Sequence, residues 1–583
     1  MCSRRSGSTT GIAFNLRGVP QDQLYYVALL PALLTNAGVT ENGQRVSYDE
    51  MQERLRNEIL ALEASFSVND RAERYELVVR GSGNDAGESR KAIAWMQSVL
   101  LHPDWDTRNL PRLRDLVDQS LSALRNMRQG YEERWVSGVS AAYRRQDSPL
   151  FLATSSFLTQ THSALRLRWQ LMEGTASNRA GAAQFLARLA GAGSASRAEL
   201  KNLVASLQSD STTGSPPAVL APFQPEFGAL PAGARKIAVE AAKDLAQTIE
   251  DLPDATLAAD WSDLCYEMRH DLLVTPERAL VALGAVRQEI VKSGNARVFM
   301  IGSGTNQSLL TQPILATLAK LGPGASEKAA YASRPIVLAR LGGRAPTATS
   351  QSLVGLLNLN TQGGVFMNSA PFVSYTDTDD ESLLRYLAYN LYSGGGAHSI
   401  FMKTWGAGLA YSNGLSASLE NGRASYYADK TPELPQTLRF VIDQLKHAPR
   451  DSSLTDYSVA LAFGSRAASA YEDRGEAMAA NLADGLTPEI VSGFRKAILG
   501  IRKRAGLADA LFDRMPGGYA RVLPGFSSPA TAVPGAVYFV IGAEKQFAAY
   551  EAYLKSVQGQ ESRLYRLYPR DFWTPALEPA ADR

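Results

Sequence analysis

Apolar and polar positions from Gly11 to Leu101 alternate between a period of two and a period near 3.6, which separates strands from helices. Gly11 to Arg17 reads as a strand, and Gln21 to Ala37 as a mostly apolar helix carrying Leu24, Val27, Leu30 and Leu34. Tyr48 to Leu60 predicts a second helix, with Met51, Leu55 and Ile59 on one face. Ala64, Phe66 and Val68 alternate, as do Tyr75, Leu77 and Val79, so an antiparallel hairpin follows. A helix from Glu88 to Leu101 closes the unit, with Ile93, Met96 and Leu100 aligned.

The same order returns at 364–447. Gly364 to Val373 is extended, and Thr378 with Glu381 reads as a capping-box start for a helix carrying Leu383, Leu387 and Leu391. His398 to Thr404 is a short second helix, and 408–428 a hairpin turning at Asn421-Gly422, where both residues tolerate the positive φ of a tight turn. A helix from Glu433 to Lys446 ends the unit. Two βααββα units in one chain predict an α+β fold of two duplicated domains, each an antiparallel sheet with helices packed against it.

After each unit the pattern turns helical. Residues 106–210 read as four or five amphipathic helices, and 209–233 as a Pro/Ser/Gly-rich loop. ARVFMIGSG (296–304) reads as the last strand of the first domain, followed by a helix from Leu309 to Leu321. Helices cover roughly 453–514; VYFVIGA (537–543) reads as the last strand and Glu544 to Val557 as the last helix. GPGASEKAAYASRP (322–335) is the expected joint. The expected domains are therefore 11–325, with a helical insertion, and 326–583, after a disordered start or linker end at 1–10.

A chain of 583 residues exceeds one ordinary core, which agrees with two domains. Its 60 basic and 58 acidic residues are spread without blocks, so no nucleic-acid-binding stripe is predicted. No apolar run reaches membrane-spanning length, and the basic start MCSRRSGSTTG has no apolar stretch behind it, so neither a membrane span nor a signal peptide is read. The expectation is a soluble, cytoplasmic protein, or a periplasmic one if a missing part carries the export signal. Cys2 and Cys265 allow at most one disulfide and no thiolate zinc site.

Along GAGLAYSNG, Leu409, Tyr411, Asn413 and Leu415 are expected on one strand face, and Gly408, Ala410, Ser412 and Gly414 on the other. The second face is nearly bare backbone, which suits close approach of another extended chain. FMKTWGAGLAYSNG resembles the short-helix and Gly-Leu-Ala-Tyr motif in the C-terminal half of the insulinase (pitrilysin) family of zinc metallopeptidases, with the presequence-protease branch fitting best. Tyr411 matches the family tyrosine that contacts substrate near the scissile bond. The family arginine falls on Thr404 or Trp405, and the nearest cation is Lys403, a point charge rather than a planar fork. Trp405 is expected to anchor a core or interface.

The resemblance also implies an H-x-x-E-H zinc motif on the first helix of a catalytic half. The corresponding helices, 21–37 and 379–393, contain no histidine; His102, His162, His270, His398 and His447 are widely spaced. The chain is thus expected to correspond to the non-catalytic half of such a peptidase, binding no cofactor itself, with zinc on a missing catalytic half or a zinc-bearing partner subunit. The implied partner is an extended peptide, bound through Tyr411 as a substrate-carbonyl contact, with Lys403, Asn413 and Gly408 as secondary contacts. Two alternatives stand beside this: a catalytically inactive pseudo-peptidase acting as a structural or assembly subunit, and an unrelated helical scaffold. Weaker patterns are CYEMRHD (265–271), where Glu267 and His270 could share a helix face, and GSGTNQ (302–307), an anion nest or a plain turn. The acidic run Asp377, Asp379, Asp380 and Glu381 suits a helix N-terminus without any ligand.

Overall fold

The computed structural model describes residues 7–209, 221–345, 352–361, 363–464, 470–527, 533–558 and 563–574. Cys2 lies outside them. The opening strand β1 (Ser8–Asn15) begins before the expected Gly11, so Ser8 to Thr10 belong to the sheet. A short hairpin, β2 (Val39–Glu41) and β3 (Gln44–Val46), follows the first helices. Its two-residue turn has Asn42 at φ 50° and Gly43 at φ 79°, which is the tight Asn-Gly geometry expected elsewhere in the chain. β4 (Ala61–Asn69), β5 (Arg74–Gly83) and, much later, β6 (Ala296–Ile301) complete a four-stranded sheet in the order β4-β5-β1-β6.

The second sheet contains β7 (Leu353–Leu357), β8 (Gly364–Pro371), β9 (Ser412–Ser418), β10 (Arg423–Thr431), β11 (Val537–Gly542) and β12 (Tyr565–Leu567). Its order is β12-β7-β11-β8-β10-β9. Within it, β9-β10-β8-β11 repeats β4-β5-β1-β6 strand for strand: hairpin, opening strand, closing strand, all antiparallel. The duplication read from the sequence is therefore present in the sheet topology, and the fold is α+β. β7 and β12 extend the second sheet in parallel beyond its antiparallel repeat.

Several element ends differ for local reasons. The expected helix at 21–37 is broken into Leu24–Val27 and Leu30–Asn36, with Pro31 in the first turn of the second piece, where its missing N–H costs no helical bond. The region 106–210 holds six α-helices among the described residues rather than four or five. Ser148, Ser156, Thr175 and Ser196 each accept an N–H at a new helix start and so divide the pattern. Asp379, not Thr378, caps the helix Asp380–Asn390 by accepting from Ser382 N. The β9–β10 connection is a four-residue loop, because Ser418 pairs with Arg423; only Gly422 (φ 60°) is left-handed there.

Both faces of the second sheet are covered. Val354, Leu356, Val365, Phe539 and Ile541 join the core built from the first domain, and Phe366, Ala424, Tyr426 and Val540 join a second core. The Tyr143 and Phe539 rings lie 6.2 Å apart across this junction. Burial of one sheet face against first-domain helices ties the two repeats together by the apolar area it removes from water.

The helix Tyr471–Ala483 reaches back to the first sheet, where Arg80 pairs with Glu476 and Arg297 donates to the Ala479 carbonyl. Just beyond it, Arg74 pairs with Asp484 at 2.5 Å. The helix Ile336–Arg344 and the C-terminal segment complete the junction: Arg344 forms two 2.6 Å bonds to Asp571, and Thr159 Oγ1 donates to the Phe572 carbonyl at 2.7 Å.

Candidate functional site

The helix Ile400–Gly406 starts at Ser399, whose hydroxyl accepts from Met402 N at 3.3 Å. It stops at Gly408, which takes φ 68°, a conformation that favours glycine, while Gly408 N donates to Trp405 O and Leu409 N to Thr404 O. A Cβ added at Gly408 would meet open space. The chain then enters β9, with Tyr411 N donating to Asp429 O at 3.2 Å. β9 is the terminal strand of its sheet.

Regular pairing starts only at Ser412, so the expected shared face does not form. Tyr411 is 66% exposed, whereas Asn413 and Leu415 are buried. The small-residue face is also occupied: a Cβ on Gly414 would lie 3.2 Å from the Tyr427 ring. What remains open beside β9 is the Tyr411 ring and the Gly408 backbone, not a bare strand surface.

The Tyr411 ring has a cationic neighbour that sequence spacing did not indicate. Lys430 Nζ lies 4.7 Å from its centroid and 3.8 Å from that of Tyr131, which is itself exposed. Lys430 arrives there through a β-bulge. Between Ala428 and Thr431 the pairing with β8 slips by one residue, and Lys430 adopts φ 45°, rare for a residue with a Cβ. Its ammonium also pairs with Glu133 at 3.4 Å, and Asn358 donates to Glu132 at 3.0 Å. Residues from both repeats thus meet at this spot.

Burial and the neighbouring Glu133 push the Asp429 carboxyl up to about 7, against the opposing effect of Lys430. Burial likewise raises Glu132. The only sequence signal for this cluster is the Asp-Lys pair that interrupts the apolar and aromatic run of β10.

Lys403 faces elsewhere: it donates to Gln444 at 3.3 Å and sits 5.7 Å from the Tyr392 ring. Thr404 is fully buried, and its hydroxyl donates to the Ile400 carbonyl. Trp405, expected as an anchor, is 57% exposed. Asn413 lies one diagonal step from Tyr426, inside the sheet core.

The other sequence patterns resolve into structural roles. Glu267 stands on the helix Leu257–Leu273. Its Oε1 lies 2.7 Å from His162 Nε2, with Arg166 and Arg570 close by. Burial pushes the Glu267 carboxyl up, but these three groups outweigh it and hold it well below the carboxylate range. Burial keeps the His162 imidazole below its ordinary value despite Glu267, and the ring stacks on Trp573 at 4.4 Å. Cys265 is buried as a free thiol, pushed up by that burial. GSGTNQ forms a helix start, with Ser303 accepting from Asn306 N. The helices that would hold the two zinc-binding histidines of the resemblance read LYYV and LPALLTN in one repeat and DESLLRYLAYN in the other, so their residues do not fit that metal.

Fold and site together define a duplicated α+β protein that presents an exposed tyrosine and a bulge-held lysine at a sheet edge. Among solved structures, the chain is similar to the inactive domain of a peptidase M16 from Pseudomonas fluorescens, with 12% identity, 93% of each chain covered and a TM-score of 0.47. It is also similar to the periplasmic protease PqqL from Escherichia coli, with 9% identity and a TM-score of 0.48, over 96% of this chain and 48% of that one. A structure of the first half of PqqL gives 9% identity and a TM-score of 0.47, with 94% of that half covered. The chain thus spans about half the length of PqqL. No protein-family model and no curated protein matches it. Among the described residues no helix is long and apolar enough to cross a membrane.

Proposed function

We propose that this chain is the non-catalytic half of a peptidase chamber, that it binds an extended peptide along β9, and that Tyr411 is the group it presents to that peptide. The exposure of Tyr411 at 66%, at the start of a terminal strand, carries the reading, because tyrosine ordinarily buries its ring. A terminal strand offers unpaired main-chain groups to an extended ligand, and the open backbone at Gly408 lets one approach. The phenolic hydroxyl would donate to a peptide carbonyl as charge develops there during cleavage. Lys403 and Asn413 would support this strand from behind, through Gln444 and the Tyr426 side of the sheet. The zinc and the attacking water belong to a catalytic half or partner subunit, and no step on this chain runs through a metal.

Anisotropy of a fluorescein-labelled unstructured peptide tests binding to the chain alone, and a quenched-peptide assay with the catalytic half tests turnover. The chain alone should bind and not cleave. Tyr411→Phe should lower kcat/KM at least about tenfold, or ~1.4 kcal/mol of transition-state stabilisation. Unchanged turnover removes Tyr411 from the chemistry, and absence of binding removes the peptide reading.

The burial of Thr404 at the family arginine position favours a second reading, an inactive subunit with a structural or assembly role. Under that reading the mixed halves assemble, and Tyr411→Phe changes neither assembly nor turnover.

A further inference from the structure

The peptide-binding reading leaves the site without the cation that its motif would place on the helix Ile400–Gly406. Thr404 is sealed in the core, and Lys403 donates to Gln444 and lies over the Tyr392 ring. We propose, resting on that reading, that Lys430 supplies this cation from the opposite strand and contacts a main-chain carbonyl or terminal carboxylate of the bound peptide beside Tyr411.

Three observations carry the assignment. Lys430 is held in a left-handed conformation (φ 45°) by the bulge between Ala428 and Thr431, a strained arrangement that a regular strand would not need. The bulge places its ammonium between two exposed aromatic faces, 3.8 Å from the centroid of Tyr131 and 4.7 Å from that of Tyr411. Its ammonium pairs with Glu133 at 3.4 Å, and the Lys430 side chain stays 39% exposed. Glu133 is only 20% exposed, so the ammonium keeps that pair and turns another of its three N–H donors to a peptide oxygen. Asp429, raised toward neutrality by burial and Glu133, offsets little of that positive charge below neutral pH.

The test uses the full chain and two fluorescein-labelled unstructured peptides of one sequence, one with a free C-terminal carboxylate and one amidated, at low and high salt. Lys430→Asn suits the left-handed backbone, so the variant should stay folded, with its unfolding midpoint lowered only by the lost Glu133 and aromatic contacts. It should weaken binding of the free-carboxylate peptide about tenfold and flatten the salt dependence. Lys430→Arg should stay within about threefold of the native chain. A larger loss for the free carboxylate than for the amide identifies the peptide terminus as the contact; equal losses identify a main-chain carbonyl. Tight binding by the native chain together with unchanged binding by Lys430→Asn overturns the assignment while the peptide reading stands. Loss of binding in Lys430→Arg equal to that in Lys430→Asn overturns it as well, because charge would then not be what matters. Absence of binding by the native chain overturns both.

Discussion

Replacing Asp571 by alanine should release the C-terminal segment from the rest of the molecule. Asp571 is fully buried and accepts both terminal nitrogens of Arg344 at 2.6 Å, while its Oδ2 also accepts Tyr568 N at 2.8 Å. Arg344 is itself 8% exposed, and Arg340 and Arg570 share Asp260 nearby at 3.3 and 3.5 Å. Without Asp571 the guanidinium of Arg344 is left uncompensated in a low-dielectric interior among like charges. Breaking one partner of such a pair costs about 3–5 kcal/mol, a large share of a typical total stability of roughly 5–15 kcal/mol. The double variant Arg344→Met with Asp571→Leu replaces both charges by apolar groups and should recover most of the loss.

Urea unfolding measures the stability, and amide exchange of residues 563–574 reports the local release. The Asp571→Ala segment should exchange far faster than in the native chain, and the double variant should restore protection. A loss below about 1 kcal/mol, the value of a surface pair, with unchanged exchange at 563–574 would refute the claim that this pair is desolvated.

Three further outcomes follow from particular contacts. Asp429 binds its proton more tightly folded (about 7) than its ordinary value of 3.8, so through this group the fold loses stability as pH rises between those values. Asp429→Asn should remove that part of the slope, read as urea midpoint against pH, and an unaltered slope contradicts it. A Cβ on Gly475 would sit 2.7–2.8 Å from Ile301 side-chain atoms, so Gly475→Val should push the helix Tyr471–Ala483 off β6. Faster proteolysis within 471–483 would show the displacement; an unchanged digestion pattern would count against the close approach. Cys265 is buried as a free thiol and held protonated, so a thiol reagent should label it only at the rate of unfolding; labelling within seconds in native buffer contradicts that.

The duplicated units were legible because each rests on local signals. Period-two runs such as Tyr75, Leu77 and Val79, and helical runs such as Leu438, Val441 and Leu445, need no distant partner to be read. β7 and β12 were not legible, since LVGLL and YRL are short and become strands only through parallel pairing far along the chain. Asn-Gly occurs three times, at 42–43, 413–414 and 421–422, and sequence alone did not say which copy makes the two-residue turn; the register fixed by the flanking strands decides. In the site, Tyr411 was found through its motif, but it does not share the buried face of Asn413 and Leu415, because the regular strand begins at Ser412 and not at the expected Gly408. Lys430 escaped notice because a bulge is set by how β10 fits β8, not by the residues Asp-Lys-Thr themselves.

The double covering of the second sheet has a practical meaning for anyone dividing this molecule. A fragment starting near Gly363 would leave the outward side chains of Val365, Phe539 and Ile541 facing water, with the parallel β7 neighbour of β11 cut away. Such a piece should clump when expressed by itself and dissolve only when residues 7–361 are co-expressed, so the repeat seen in topology is not a repeat of independent folding units.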